Sequence, residues 1–280
     1  MLRIPMRPAA AGLAFVAMAA VPLSAAGTAP RVGAGSPLVI AHRGAARDAP
    51  ENTLSAVDAA YRRGLIWVEN DVQRTKDGRL VVLHDTTLRR TTDVERMFPD
   101  RAPWRVRDFT AAEIARLDAG SWFGPRFAGE RVPTLAAFLR RLDHHGQGLL
   151  LEIKSPKSAP GIEAGVLGEL RRHGWLDRAH IGSRLVVQSF CLPCVARVHK
   201  LAPRMRTGVL GAPAGDRLAR CARFADQINP RMSTLSSRWI KAVHRLRGAH
   251  GRPLEIYAWG VGKNTGVRLA RAFGIEGIIS

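Results

Sequence analysis

Pro37-Leu38-Val39-Ile40-Ala41-His42-Arg43 begins with five apolar residues and ends on a histidine and an arginine. A short continuous apolar run bounded by proline reads as a strand buried on both faces, and the polar residues mark where it leaves the core. The pattern recurs. Ile66-Trp67-Val68 runs into Glu69-Asn70-Asp71, Leu80-Val81-Val82-Leu83 into His84-Asp85, and Leu149-Leu150-Leu151 into Glu152-Ile153-Lys154. Later apolar runs are Leu185-Val186-Val187, Thr207-Gly208-Val209-Leu210, Ala225 to Ile228, Leu254 to Ala258, and Gly277-Ile278-Ile279.

Amphipathic stretches separate these runs, which is the pattern of repeated βα units. The spacing predicts a helix from about Thr53 to Arg63, with small residues Ser55, Ala56, Ala59 and Ala60 toward a sheet and Gly64 at its end. If Leu80–Leu83 extends the second unit past the Lys76-Asp77-Gly78 turn, eight strands remain, and the expected fold is a TIM (β/α)8 barrel spanning 37–280. Residues 86–132 are too long for one βα connection and read as an insertion after the second unit, with a short helix near Thr110 to Leu117. Its Trp104, Phe109, Trp122, Phe123 and Phe127 suit a cap over the site or a small core of the insertion's own.

The first residues read as a leader: Arg3 and Arg7, an apolar run from Ala9 to Leu23, then Ser24-Ala25-Ala26. The expected organisation is a signal peptide over 1–26 cleaved near Ala26 and a linker over 27–36, and the expected location is the periplasm or the exterior. A membrane anchor is the competing reading, but the run falls short of a bilayer span and Pro22 interrupts it. The formal charge of +20 suits an anionic substrate or peripheral contact with an anionic membrane surface. Nucleic acid is not expected, because the basic residues are scattered along the chain and few aromatics lie among them. Cys191-Leu192-Pro193-Cys194 has the spacing of a redox pair, yet nothing else suggests a thioredoxin fold. In an oxidising compartment the pair closes a small structural loop and leaves Cys221 unpaired.

In a barrel the polar strand ends converge on one rim, where active sites are built. Glu69 and Asp71 lie two apart on an extended chain and share a face, and Glu152 joins them from another strand. Three carboxylates without a nearby cysteine suit a hard ion, Ca²⁺ or Mg²⁺; local salt bridges to Arg74 or Lys154 are the plainer alternative. His42 and His84 can exchange protons near neutral pH, although a lone histidine at a strand end is commonly structural. Arg43 and Lys154 supply a fork and a point charge for a phosphoryl group. The set fits phosphodiester hydrolysis better than glycoside hydrolysis, which needs two carboxylates and no cationic clamp.

At these residues the sequence resembles the glycerophosphodiester phosphodiesterase family, periplasmic type. The matching segments are Ala41-His42-Arg43-Gly44, Pro50-Glu51-Asn52-Thr53, Glu69-Asn70-Asp71-Val72-Gln73, Thr75-Lys76-Asp77-Gly78, Val81-Val82-Leu83-His84-Asp85, Leu151-Glu152-Ile153-Lys154 and Tyr257-Ala258-Trp259. The stretch from Thr92 to Ala102 is similar to the insertion of the periplasmic branch. The resemblance implies His42 and His84 as the acid/base pair and Glu69, Asp71 and Glu152 as ligands of Ca²⁺ or Mg²⁺. It implies Arg43 and Lys154 as phosphate contacts and Trp259 as a pocket wall. Glu51 and Asn52 are implied to order the first loop, with Glu51 extending toward the metal's surroundings. The implied reaction converts a small glycerophosphodiester to glycerol 3-phosphate and an alcohol. A lysophospholipase D-type activity is the near alternative if the aromatic insertion forms a greasy groove; a non-catalytic basic envelope protein is the distant one. Two departures stand out. Asn70 replaces a residue that is usually apolar or small and is expected to point away from the metal; the chain also stops before the family's Thr-Asp-x-Pro and final helix, which should leave apolar surface at the last strand uncovered.

Overall fold

A computed structural model describes Leu2 and residues 36–280 except Ser155. Apart from Leu2 and Ser36, the expected leader and linker lie outside the described residues. The described residues form nine strands: β1 (Leu38–Ile40), β2 (Trp67–Arg74), β3 (Leu80–Val82), β4 (Gly148–Ile153), β5 (Leu185–Ser189), β6 (Arg206–Leu210), β7 (Gln227–Asn229), β8 (Glu255–Trp259) and β9 (Gly277–Ile279). Eight run parallel in the order β1-β9-β8-β7-β6-β5-β4-β2. The ring closes at Ala41, whose N–H donates to Trp67 O at 2.9 Å and whose carbonyl accepts from Glu69 N–H at 2.8 Å. The result is the expected TIM-like barrel. β3 stays outside the ring, folded back antiparallel on β2 with Val82 opposite Val72.

Alternation along each strand sorts side chains between two compartments. On β2, Val68 and Val72 pack outward against the helices, beside Leu149, Leu151 and Ile153 of β4. Ile40, Leu150, Val186, Tyr257 and Ile279 fill the barrel interior. Each fully buried Leu, Ile or Phe contributes roughly 1.5–3 kcal/mol, so the two layers together supply most of the driving force. Helix Leu135–His145 shows how the outer layer is specified. Leu135, Phe138, Leu139 and Leu142 recur at i, i+3, i+4 and i+7 and are all buried. The Thr134 hydroxyl caps its first turn by accepting from Ala137 N–H, and Gly146 at φ +66° ends it. Helix Leu54–Arg62 lies within the predicted span, capped by Thr53.

The insertion builds its own core: Leu88, Val94, Val106, Phe109, Ile114 and Leu117 cluster on Val81 and Leu83, with Phe98 and Trp104 against them. The predicted short helix is Ala111–Ile114, opened by a capping box between Thr110 and Glu113. Ile278 and Ile279 are buried, so the uncovered apolar surface expected at the last strand does not fall there. β9 is paired with both β1 and β8, and Gly266 of helix Lys263–Phe273 comes close over Ile278. No described helix is long and apolar enough to cross a membrane.

Candidate active site

β2 and β4 pair with Asp71 opposite Glu152. Glu69 shares the inward face of β2 with Asp71, so the ladder alone gathers three acids. Their carboxylate oxygens lie within 4.8 Å of one another and all three residues are buried. Burial first, and the Asp71 charge next, pushes the Glu69 and Glu152 carboxyls above the usual carboxylate range. Lys154 Nζ sits 3.0 Å from Glu152 Oε1 and 3.6 Å from Asp71 Oδ1. Burial opposes charge on that ammonium, but Asp71 and Glu152 outweigh it and raise its pKa. The alternative salt bridge to Arg74 does not form; Arg74 Nη1 donates instead to Pro160 O at 2.9 Å.

The loop after β1 turns sharply to reach the same acids. Arg43 (φ +55°) and Asn52 (φ +60°) both adopt the left-handed region, an uncommon state for residues with a Cβ. Gly44 must also turn left-handed, and a Cβ there would sit 2.6 Å from the Ala56 Cβ. The turn aims Arg43 N–H at Glu69 Oε2, 2.9 Å away, and places Arg43 Nε 3.4 Å from Asp71 Oδ2. Asn52 Nδ2 donates to Asp71 Oδ2 at 2.8 Å, while its Oδ1 accepts from Asp71 N–H at 3.3 Å. Asn52, like Arg43, therefore touches the triad directly. Glu51 stands one step back, accepting from Arg43 Nη1 at 2.8 Å.

His42 Nε2 lies 4.0 Å from Glu69 Oε2. Desolvation and then the Arg43 charge lower its pKa to about 4, against the pull of Asp71 and Glu51, and the His84 charge lowers it further. Solvent reaches 42% of the side chain and screens part of that penalty. His84 is set beside the triad because Leu83 N–H donates to Asp71 O at 2.9 Å. Its Nδ1 pairs with Asp85 Oδ1 at 2.7 Å, and among the described residues its Nε2 has no partner. Arg90 donates to Asp85 at 2.7 and 3.0 Å and to Glu51 at 2.7 and 2.9 Å. Those bonds, with His84 adding to them, hold Asp85 down at about 2. Two parts of the site thus hang on one insertion residue.

Trp259 ends β8 on the same rim, half-buried, with its Nε1 donating to Asn229 O at 3.1 Å. Phe190 meets it edge-on at 6.1 Å between ring centres, and the Arg231 guanidinium lies 5.6 Å from its ring. Cys191 and Cys194 are bonded directly after Phe190, and Cys221 is free and buried. Asn70 faces outward as expected, but its buried amide has no hydrogen-bond partner among the described residues.

The family model described as "Glycerophosphoryl diester phosphodiesterase family" matches residues 42–280. The chain belongs to this family. Among the phosphodiesterase relatives, the Bacillus subtilis protein YhdW is 37% identical over 247 residues, 86% of this chain and 93% of that one. A glycerophosphodiester phosphodiesterase of Caldanaerobacter subterraneus is 40% identical over 174 residues, 62% of this chain and 66% of its own length. A solved Oleispira antarctica phosphodiesterase, in complex with the product sn-glycerol-3-phosphate, superposes with a TM-score of 0.74 at 27% identity, covering 88% of this chain and 93% of that one.

All eight residues singled out from the sequence lie at the C-terminal rim of this phosphodiesterase barrel. Sequence reasoning missed Arg90, Phe190 and Arg231. Phe190 had a signal, since it follows the fifth strand directly; Arg90 had none, because its partners come from two other loops.

Proposed function

We propose that the protein hydrolyses glycerophosphodiesters to glycerol 3-phosphate and an alcohol, with Glu69, Asp71 and Glu152 holding Ca²⁺ or Mg²⁺ and with His42 and His84 moving protons. The observation that carries this reading is the placement of three buried carboxylates on one ladder with both histidines beside them. The donor set fits the ion. It is all carboxylate oxygen, as hard cations prefer, and its negative charge is incompletely answered, because Arg43 is shared with Glu51 and only Lys154 remains. A bound divalent cation would act there as a Lewis acid toward the phosphoryl oxygens.

The remaining work falls to side chains. Arg43 and Lys154, each held by carboxylates, present fixed positive charge to the non-bridging oxygens, where negative charge grows as the phosphorus–oxygen bond to the alcohol breaks. His42, kept neutral at physiological pH, is suited to take a proton from the attacking water, whose oxygen forms the new bond to phosphorus. His84, oriented through Nδ1 by Asp85, presents Nε2 to return a proton to the departing oxygen. Trp259, with Phe190 against its edge, walls the opposite side of the mouth.

We also read the protein as periplasmic or secreted. The leader-like N-terminus and the bonded Cys191–Cys194 pair support that reading, and the +20 charge supports peripheral contact with anionic membrane surfaces. The test is release of glycerol 3-phosphate from glycerophosphocholine, glycerophosphoethanolamine and glycerophosphoglycerol, with Ca²⁺ or Mg²⁺ and with EDTA. Release that needs the ion is expected. Turnover of lysophosphatidylcholine alone, or binding to anionic vesicles with no hydrolysis of any diester, would overturn it.

A further inference from the structure

A cavity of about 140 Å³ lies between the insertion and the barrel, lined by Arg74, Thr86, Arg105, Arg107, Lys154 and Ala159 among others. One water needs roughly 10–15 Å³ of such space, so the cavity has room for a phosphoryl or carboxylate group with some hydration. The cavity is cationic, and of its cations only Lys154 is closely answered by acids. Among the described residues Arg105 makes no side-chain hydrogen bond or ion pair, and Arg107 has only Asp108 at 3.9 Å. Arg74 bonds a backbone carbonyl, Pro160 O, and no carboxylate. Three arginines nearby are paired by contrast: Arg43 and Arg90 with Glu51, and Arg101 with Glu113. Among the described residues no acidic side chain lines this space. Its walls come from three segments, the end of β2, the insertion, and the loop after β4, so the convergence is a product of the fold. Lys154 belongs both to this cavity and to the acidic triad, which makes the two spaces neighbours.

Building on the proposed hydrolysis, we propose that this cavity is a subsite for a second anionic group on the substrate, a phosphate or carboxylate carried by the alcohol. The glycerol 3-phosphate product keeps only the scissile phosphate, so any further negative charge must belong to the leaving group. The preferred substrates are then diesters with anionic headgroups. The insertion's aromatics give no greasy lining here: Phe98, Trp104 and Phe109 are spent on its own core, and Trp122, Phe123 and Phe127 do not line the cavity.

The test compares KM for glycerophosphoglycerol and for the same diester phosphorylated on its leaving glycerol, which adds a charge of about −1.5 to −2 at neutral pH. The phosphorylated diester is expected to show a KM lower by about tenfold, the value of one charge-assisted contact. An R105Q/R107Q double variant should lose that preference while turning over glycerophosphoglycerol as the wild type does. R217Q/R220Q, on the outer helix Gly215–Ala222, removes the same charge elsewhere and should keep the preference. Glycerophosphoserine then tells carboxylate from phosphate recognition. Absence of a preference in the wild type, or its equal loss in both double variants, overturns the subsite. Failure to hydrolyse even glycerophosphoglycerol instead overturns the catalytic reading beneath it.

Discussion

Replacing Arg90 by methionine removes four hydrogen bonds while keeping much of the side chain's length. Two bonds fork onto Asp85, which orients His84, and two onto Glu51, which holds Arg43. Breaking a fully buried ion pair costs about 3–5 kcal/mol and breaking an exposed one about 0–1. Arg90 is 44% exposed and Glu51 only 13%, so the loss should fall between, about 1–2 kcal/mol. Activity should suffer more than stability. Residues that orient catalytic groups from behind commonly account for about 10–100-fold in activity, and kcat should fall by that factor. The pH dependence of stability follows from Asp85, which Arg90 holds at about 2. A depressed carboxyl stabilises the fold above its ordinary pKa of about 3.8 and loses that contribution as pH falls through the folded value. Wild type and R90M should therefore differ most above pH ~4 and converge between about pH 4 and 2. Urea denaturation across that range, with initial rates of glycerol 3-phosphate release, measures both effects. R89M is the control, since Arg89 pairs only with exposed Glu95. An unchanged kcat, or a stability gap that widens on acidification, would refute the argument.

His42→Ala and His84→Ala should each lower kcat by about 10²-fold or more, because each removes a proton-transfer group; near-normal turnover in both would reject the roles given them. Glu69→Gln removes one of three crowded charges, so in EDTA its melting temperature should rise by about 2–4 °C, the shift that about 1 kcal/mol produces in a domain this size. The same variant should lose the further rise that Ca²⁺ or Mg²⁺ gives the wild type, and calorimetric titration should show the binding gone. Asn70→Leu replaces a buried amide that has no partner among the described residues, and it should stabilise the fold by about 1–2 kcal/mol in urea with kcat unchanged.

The barrel was legible because strands buried on both faces are written as unbroken apolar runs, and their ends show where chemistry begins. Glu69 and Asp71 could be paired from strand periodicity alone, but Glu152 could be set opposite Asp71 only once the β2–β4 register was known. The extension at Leu80–Val82 looked like a continuation of its unit and proved to be a strand folded back outside the ring, a distinction that depends on direction and leaves no mark on hydropathy. Asn52 rather than Glu51 touches Asp71 directly for a similar reason. A left-handed residue at 52 turns its amide onto Asp71, and no residue pattern announces that torsion. The insertion's aromatics were ambiguous because a cap and a miniature core have the same composition; contact put Trp104 and Phe109 in that core, while Trp122 is exposed and Phe127 packs on the barrel's outer core.

His42 rides on a strand whose two neighbours are distant in the chain, β2 on one side and β9 on the other, and its own N–H donates to Ser280 O at 3.2 Å. Synthesis runs from the N-terminus, so the strands bearing the acidic ligands emerge long before the segment that shuts the ring. Bringing such separated stretches together is slow, since the intervening loop entropy must be overcome first. The position of the proposed proton acceptor depends on β9 as well as on β2, whereas the acidic ladder rests on the β2–β4 pairing alone.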